Sequence, residues 1–115
     1  MHANDDPELS QFNCTEFYHR YMMGVVLTDG AKALAEKFSC FWFLDIVASY
    51  QNNKLISDMP LQVWKLKRTG SSASVSCDDG NSNTIITQNI PFTDFEPDTA
   101  EVWLQGGVIL LPSEY

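Results

Sequence analysis

The apolar positions change their period near Pro60, and that change divides the chain into two regions. Ala31, Leu34, Ala35 and Phe38 recur at i, i+3, i+4 and i+7, which is one face of an α-helix. Thr28-Asp29-Gly30 introduces this helix, with Asp29 as the expected N-cap and Lys37 suited to the last turn. A second helix is expected over residues 41–51, opened by Ser39 and closed by Asn52-Asn53. It is apolar on nearly every side, and such helices are usually buried. Upstream, Thr15 reads as the cap of a short helix over residues 16–21, broken at Gly24 and the β-branched pair Val25-Val26.

After Pro60 the pattern alternates. A strand over residues 61–68 is followed by the turn Thr69-Gly70-Ser71. Ala73, Val75 and Cys77 then alternate with Ser72, Ser74 and Ser76, as in a half-buried strand. Asp78-Asp79-Gly80-Asn81 is a turn signal, residues 84–90 form a third strand closed by Pro91, and Gly106-Gly107 joins strands over residues 101–105 and 108–111. The expected class is α+β, with N-terminal helices packed on one face of a C-terminal antiparallel meander of about five strands. Residues 1–115 are expected to form one domain, with 1–12 partly flexible, 13–59 mainly helical and 60–115 mainly strands. Val108-Ile109-Leu110-Leu111 is apolar on both faces, so its second face is either covered or an interface.

A length of 115 residues suits a single core held without disulfides or metal. The formal charge of −8 disfavours direct nucleic-acid binding and binding to an anionic membrane surface, and it permits a basic protein partner. The charge is uneven. The first 68 residues hold eight acids and seven bases, whereas the last 47 hold seven acids and no base. Cys14, Cys40 and Cys77 make an odd count without a CxxC pair, which argues against a disulfide framework or zinc knuckle and for reduced thiols. The polar, acidic residues 1–10 do not read as a signal peptide, and no apolar run reaches membrane-spanning length, so a cytoplasmic location is expected. Asn13-Cys14-Thr15 matches a glycosylation sequon that carries little weight without a secretory signal.

Several segments share a further likeness. They are Thr28-Asp29-Gly30, Phe41-Trp42-Phe43-Leu44-Asp45, Ala48-Ser49-Tyr50-Gln51, Gln62-Val63-Trp64-Lys65-Leu66, Cys77-Asp78-Asp79-Gly80-Asn81, Pro91-Phe92-Thr93-Asp94-Phe95 and the ending Gly107-Val108-Ile109-Leu110-Leu111-Pro112-Ser113-Glu114-Tyr115. Together they resemble an uncharacterised bacterial and phage domain family of unknown function. The resemblance runs from about residue 12 to 115 and is most specific at the Leu-Leu-Pro-Ser-Glu-Tyr ending. It implies a small protein carried on phages, plasmids or other mobile elements, and it transfers no catalytic residue.

Candidate chemistry is sparse. Asp79, Asn81 and Asn83 imitate a calcium loop, but Thr84 stands where the turn glycine belongs and Ile90 where the bidentate Glu belongs. A plain hairpin turn is expected, with no metal and no cofactor. Asp45 is the only charge in an apolar helix. It reads either as a buried functional carboxylate or as a structural hydrogen-bond acceptor. Cys14 and His19 lack an oxyanion glycine and an orienting acid. His2 is expected in a frayed terminus. Lys65 and Lys67 share a strand face and are expected to pair with acids or face solvent. Asp94, Glu96, Asp98 and Glu101, with Phe92 and Phe95 interleaved and Asp78 and Asp79 in the preceding turn, combine charge with apolar anchors, the mix found at protein interfaces.

These features favour a non-enzymatic acidic protein-binding domain from a mobile element that engages a basic partner. One such role is inhibition of a nucleic-acid-binding defence complex (CRISPR or restriction machinery) through carboxylates that take the places of phosphates. A small enzyme or ligand-binding domain with Asp45 in a pocket is one alternative. A homodimer, or other homo-oligomeric subunit, joined through the strand at residues 108–111 is another.

Overall fold

The computed structural model describes residues 1–115. Seven strands form one mixed sheet. They are β1 (Tyr18–Arg20), β2 (Val26–Thr28), β3 (Gln62–Thr69), β4 (Ser72–Asp78), β5 (Thr84–Ile90), β6 (Thr99–Gln105) and β7 (Val108–Leu110). Their spatial order is β1-β2-β7-β6-β3-β4-β5. Helices α1 (Pro7–Ser10), α2 (Asp29–Lys37), α3 (Phe41–Ser49) and α4 (Lys54–Ser57) complete an α+β fold, with short 3-10 turns that include Pro112–Glu114. No helix is long and apolar enough to cross a membrane.

The alternation in the second half sets the sheet's two faces. Trp64, Leu66, Val75, Cys77, Val102, Leu104 and Ile109 are buried in the main core beneath the helices, together with Leu34, Phe43, Leu44 and Val47. Lys65, Lys67 and Glu101 occupy the intervening positions and turn to the opposite face, left largely to solvent. On that face Trp103 packs edge-on against Tyr115, their centroids 5.1 Å apart. Gln62 is the polar member of the core. Its amide bonds Gln51 and the Ile56 carbonyl and accepts from the Trp64 indole, so no buried donor is stranded.

The meander is only partly as expected. β3, β4 and β5 are consecutive antiparallel neighbours, but β6 crosses to the far side of β3, and β7 pairs parallel with β2. Two strands therefore come from the region expected to be helical. The helix expected over residues 16–21 is absent, and β1 runs there instead. Tyr18 suits a strand, and the Thr15 hydroxyl that resembles a cap accepts the Asp29 N–H at 2.8 Å. Val26 enters β2 instead of breaking a helix.

The expected α2 is present, but its cap is Thr28, whose hydroxyl accepts the Ala31 N–H at 3.2 Å, while Asp29 occupies the first helical position. Ser39 does not open α3. At φ 51° it is the left-handed residue ending α2, with the Cys40 N–H closing on Ala35 O at 2.9 Å. α3 buries Phe43, Leu44, Val47 and Ala48 and leaves Asp45 exposed, because no layer lies outside it. The N-terminal segment is packed. Ala3 and Leu9 are buried, His2 is hydrogen-bonded to Thr99, and the Asn4 side chain pairs with the Glu101 backbone like a strand neighbour.

The homodimer expected through residues 108–111 has no edge to use. β7 lies between β6 and β2, and Ile109, Leu110 and Leu111 are buried. The free edges of the sheet are β1 and β5.

Candidate functional site

Most acids of the second half are occupied within the fold. Asp78, a proposed partner-binding residue, is only 8 % exposed. Its Oδ2 lies 3.6 Å from Lys65 Nζ, and its Oδ1 accepts the Gly80 N–H at 2.8 Å. Asp79 organises the hairpin turn. Its side chain accepts from Asn83 Nδ2 at 2.9 Å and from the Asn81 and Asn83 N–H groups, and these donors hold its carboxyl below the usual range. Asp98 accepts from the terminal ammonium of Met1, which lowers its pKa most, and pairs with Arg68 Nη2 at 3.0 Å. Glu101 accepts the Trp103 indole N–H at 2.7 Å.

The sequence pattern assigns Glu114 no role, yet its carboxylate has three partners, as many as Asp79. It accepts from the Thr28 hydroxyl at 2.6 Å, the Leu111 N–H at 2.9 Å and the Gly30 N–H at 3.1 Å. The carboxylate thus sits at the N-terminus of α2, where an anion is favoured. Gly30 makes room for it, since a Cβ there would lie 2.5 Å from Glu114 Oε1. A glycine in the first turn of an otherwise Ala-rich helix was the available signal.

Asp94 and Glu96 remain. Both are exposed, and neither carboxylate has a hydrogen-bond or ion-pair partner in the chain. The loop carrying them is anchored at both ends. Thr93 N–H donates to Ser71 O at 2.8 Å, and Arg68 N–H donates to Asp98 O at 2.8 Å. Phe95 is not available to a partner. It is 2 % exposed and meets Phe38 edge-on at 6.2 Å, which pins the loop to the end of α2. Phe92 is 75 % exposed. Lys37, Phe38, Ser39, Asp94 and Glu96 line a cleft of about 220 Å³. Trp42, Ile90, Phe92, Thr93 and Asp94 line a shallow neighbour. The Lys37 ammonium is engaged elsewhere, 2.9 Å from Glu8 Oε1 and 3.4 Å from Asp6 Oδ1.

Asp45 is not a buried carboxylate. It is exposed on α3 and accepts a hydrogen bond from the Tyr21 hydroxyl. Tyr21 stacks on Phe41 at 6.3 Å, and partial burial followed by the Asp45 bond raises the phenol above its ordinary pKa. None of the five principal clefts is lined by Asp45. His19 does have an orienting acid, since its Nε2 lies 2.8 Å from Asp29 Oδ1, and this bond is the main cause of the lowered Asp29 pKa. Cys14 is exposed, and no hydrogen bond joins it to His19. No three His, Cys, Asp or Glu side chains converge to hold a metal ion. The expected partner residues thus reduce to one local surface of Phe92, Asp94 and Glu96, while Glu101 lies apart on the opposite face of the sheet beside Lys65.

Residues 3–115 match a family of unknown function (DUF6876), and the chain belongs to that family. No curated protein and no solved structure matches the chain.

Proposed function

We infer that this member of a family without an assigned activity is a non-enzymatic binding domain that docks a basic protein surface against Phe92, Asp94 and Glu96. The observation carrying this reading is the contrast within the acidic half. Five of its seven acids have partners inside the chain, and the two without any flank an anchored loop beside a phenylalanine 75 % exposed. An exposed aromatic followed closely by two uncompensated carboxylates suits a lysine- or arginine-bearing surface. The ring supplies apolar area and the carboxylates supply charge complementarity. The site is small, so the mimicry of phosphates would be local, replacing one or two phosphate contacts rather than a duplex-length track.

A partner fitting this description is the nucleic-acid-binding groove of a bacterial defence complex. Binding should be measured against purified RNA-guided and restriction nucleases at about 0.05 M and about 0.3 M salt, since charge pairing at a surface is screened over this range. Affinity for a true partner should fall with salt. It should also fall about tenfold or more in the Asp94→Lys/Glu96→Lys variant and in Phe92→Ala, with unchanged melting temperatures. Absence of binding to every candidate at low salt, or binding indifferent to these substitutions, would end the proposal.

A further inference from the structure

We propose that β5 is a pairing edge for a second copy of this chain, the two β5 strands meeting antiparallel across a two-fold axis to continue the sheet. β5 is the terminal strand on its side of the sheet, and its outer backbone groups have no neighbouring strand. Exposed edges of this kind are normally blunted by charge, proline, shortness or a covering element. β5 spans Thr84–Ile90 and contains no charged residue and no proline. The opposite edge, β1, has three residues and carries Arg20 and His19.

One device is present, and it selects the register. Asp78 pairs with Thr84 while Cys77 pairs with Ile86, so Ile85 is bulged out of the β4–β5 ladder. The regular part of the edge is therefore residues 86–90, centred on Gln88. Two copies related by a two-fold axis through Gln88 would place Ile86 opposite Ile90 of the second copy, twice. Thr87 would lie opposite Asn89. Directly opposed residues share a face, so Ile86, Gln88 and Ile90 all stay on the helix side, where Ile86 and Ile90 already pack against the core.

Charge argues for a second copy as the occupant. A basic partner finds no acid on β5. Two chains of −8 can approach here because neither presents charge along the strand. A ladder of this length buries less than the roughly 1,600 Å² of a standard interface, so the dimer is a weak one. Repulsion between the remaining acids makes it salt-promoted, the reverse of the behaviour of a basic partner at Asp94 and Glu96. The pairing does not depend on the proposed partner.

Sedimentation equilibrium at protein concentrations up to about 0.5 mM, at about 0.05 M and about 0.5 M salt, tests the proposal. The wild type should dimerise, more at high salt. Thr87→Lys/Asn89→Lys, which opposes lysines across the axis on the solvent face, should stay monomeric with an unchanged melting temperature. Asp94→Lys/Glu96→Lys should still dimerise. In a Cys14→Ser background, Gln88→Cys should give an oxidised cross-linked dimer, because opposed Cα atoms in an antiparallel pair lie about 4.5–5.5 Å apart, within disulfide range. A strictly monomeric wild type at high salt, or dimerisation unaffected by the two lysines, would overturn it.

Discussion

Gly30→Ala is a small substitution with a large expected effect, because its cost is carried by a residue 84 positions away. The new methyl would sit 2.5 Å from Glu114 Oε1 and 2.6 Å from the carboxyl carbon, so the carboxylate must leave. With it go the bonds from Thr28, Leu111 and Gly30. A hydrogen bond to a charged group contributes about 1.5–3 kcal/mol, and an anion at a helix N-terminus about 0.3–1 kcal/mol. The three bonds share one carboxylate at a half-buried site, so they do not add, and about 3 kcal/mol is the expected loss for Glu114→Ala. Gly30→Ala loses the same bonds but regains about 0.5–1 kcal/mol of helix propensity, for a net loss of about 2 kcal/mol, or roughly 8 °C in melting temperature. In the Glu114→Ala background no carboxylate is in the way, and Gly30→Ala should become stabilising by about 0.5 kcal/mol. Urea denaturation of the two single variants and the double variant reads this reversal of sign. If Gly30→Ala were equally destabilising with and without Glu114, the clash would not be the cause and the account of the Glu114 site would be wrong.

Stability should also fall in acid. Asp29, Asp79 and Asp98 are held below their ordinary values by bonds from His19, Asn83 and the terminal ammonium respectively, so the unfolded chain takes up their protons first. Their contribution is complete above about pH 5 and is lost as pH falls through the ordinary and then the lower folded values. The urea midpoint should drop between pH 5 and pH 3, and an unchanged midpoint would contradict the three bonds. Thiol labelling should separate the cysteines. Burial pushes Cys40 and Cys77 up to about 12, whereas Cys14 is exposed, so a thiolate-directed reagent should modify Cys14 alone in the native protein and all three after unfolding.

Local patterns were legible where one face of an element decides its packing. The stripe Ala31, Leu34, Ala35 and the alternation Ala73, Val75, Cys77 were read directly from spacing and are buried as read. The site was less legible because its members are defined by partners far away in sequence. Asp78 looks like a turn acid, but its countercharge, Lys65, lies on the neighbouring strand β3. Phe95 looks like an interface anchor beside Phe92, and only the approach of Phe38 distinguishes the two. Thr15 has the chemistry of a helix cap and spends it on Asp29, in a strand-to-helix connection that no local window contains. Asp45 has the sequence context of a buried carboxylate because its neighbours are apolar, and the missing layer outside α3 is a property of the whole molecule.

The parallel pairing of β2 with β7 has a consequence for how the chain reaches its fold. Val26 is matched to Val108 and Leu27 to Ile109, so the β1–β2 ribbon cannot join the sheet until residues 108–110 have been synthesised. A three-residue two-stranded ribbon is not stable alone in water. During translation, β3 to β6 can assemble while residues 18–28 wait, their buried side chains Val25, Leu27 and Thr28 still in solvent. Closing so long a loop is slow relative to forming hairpins. Docking of the first strands onto the last is therefore the expected late step of folding.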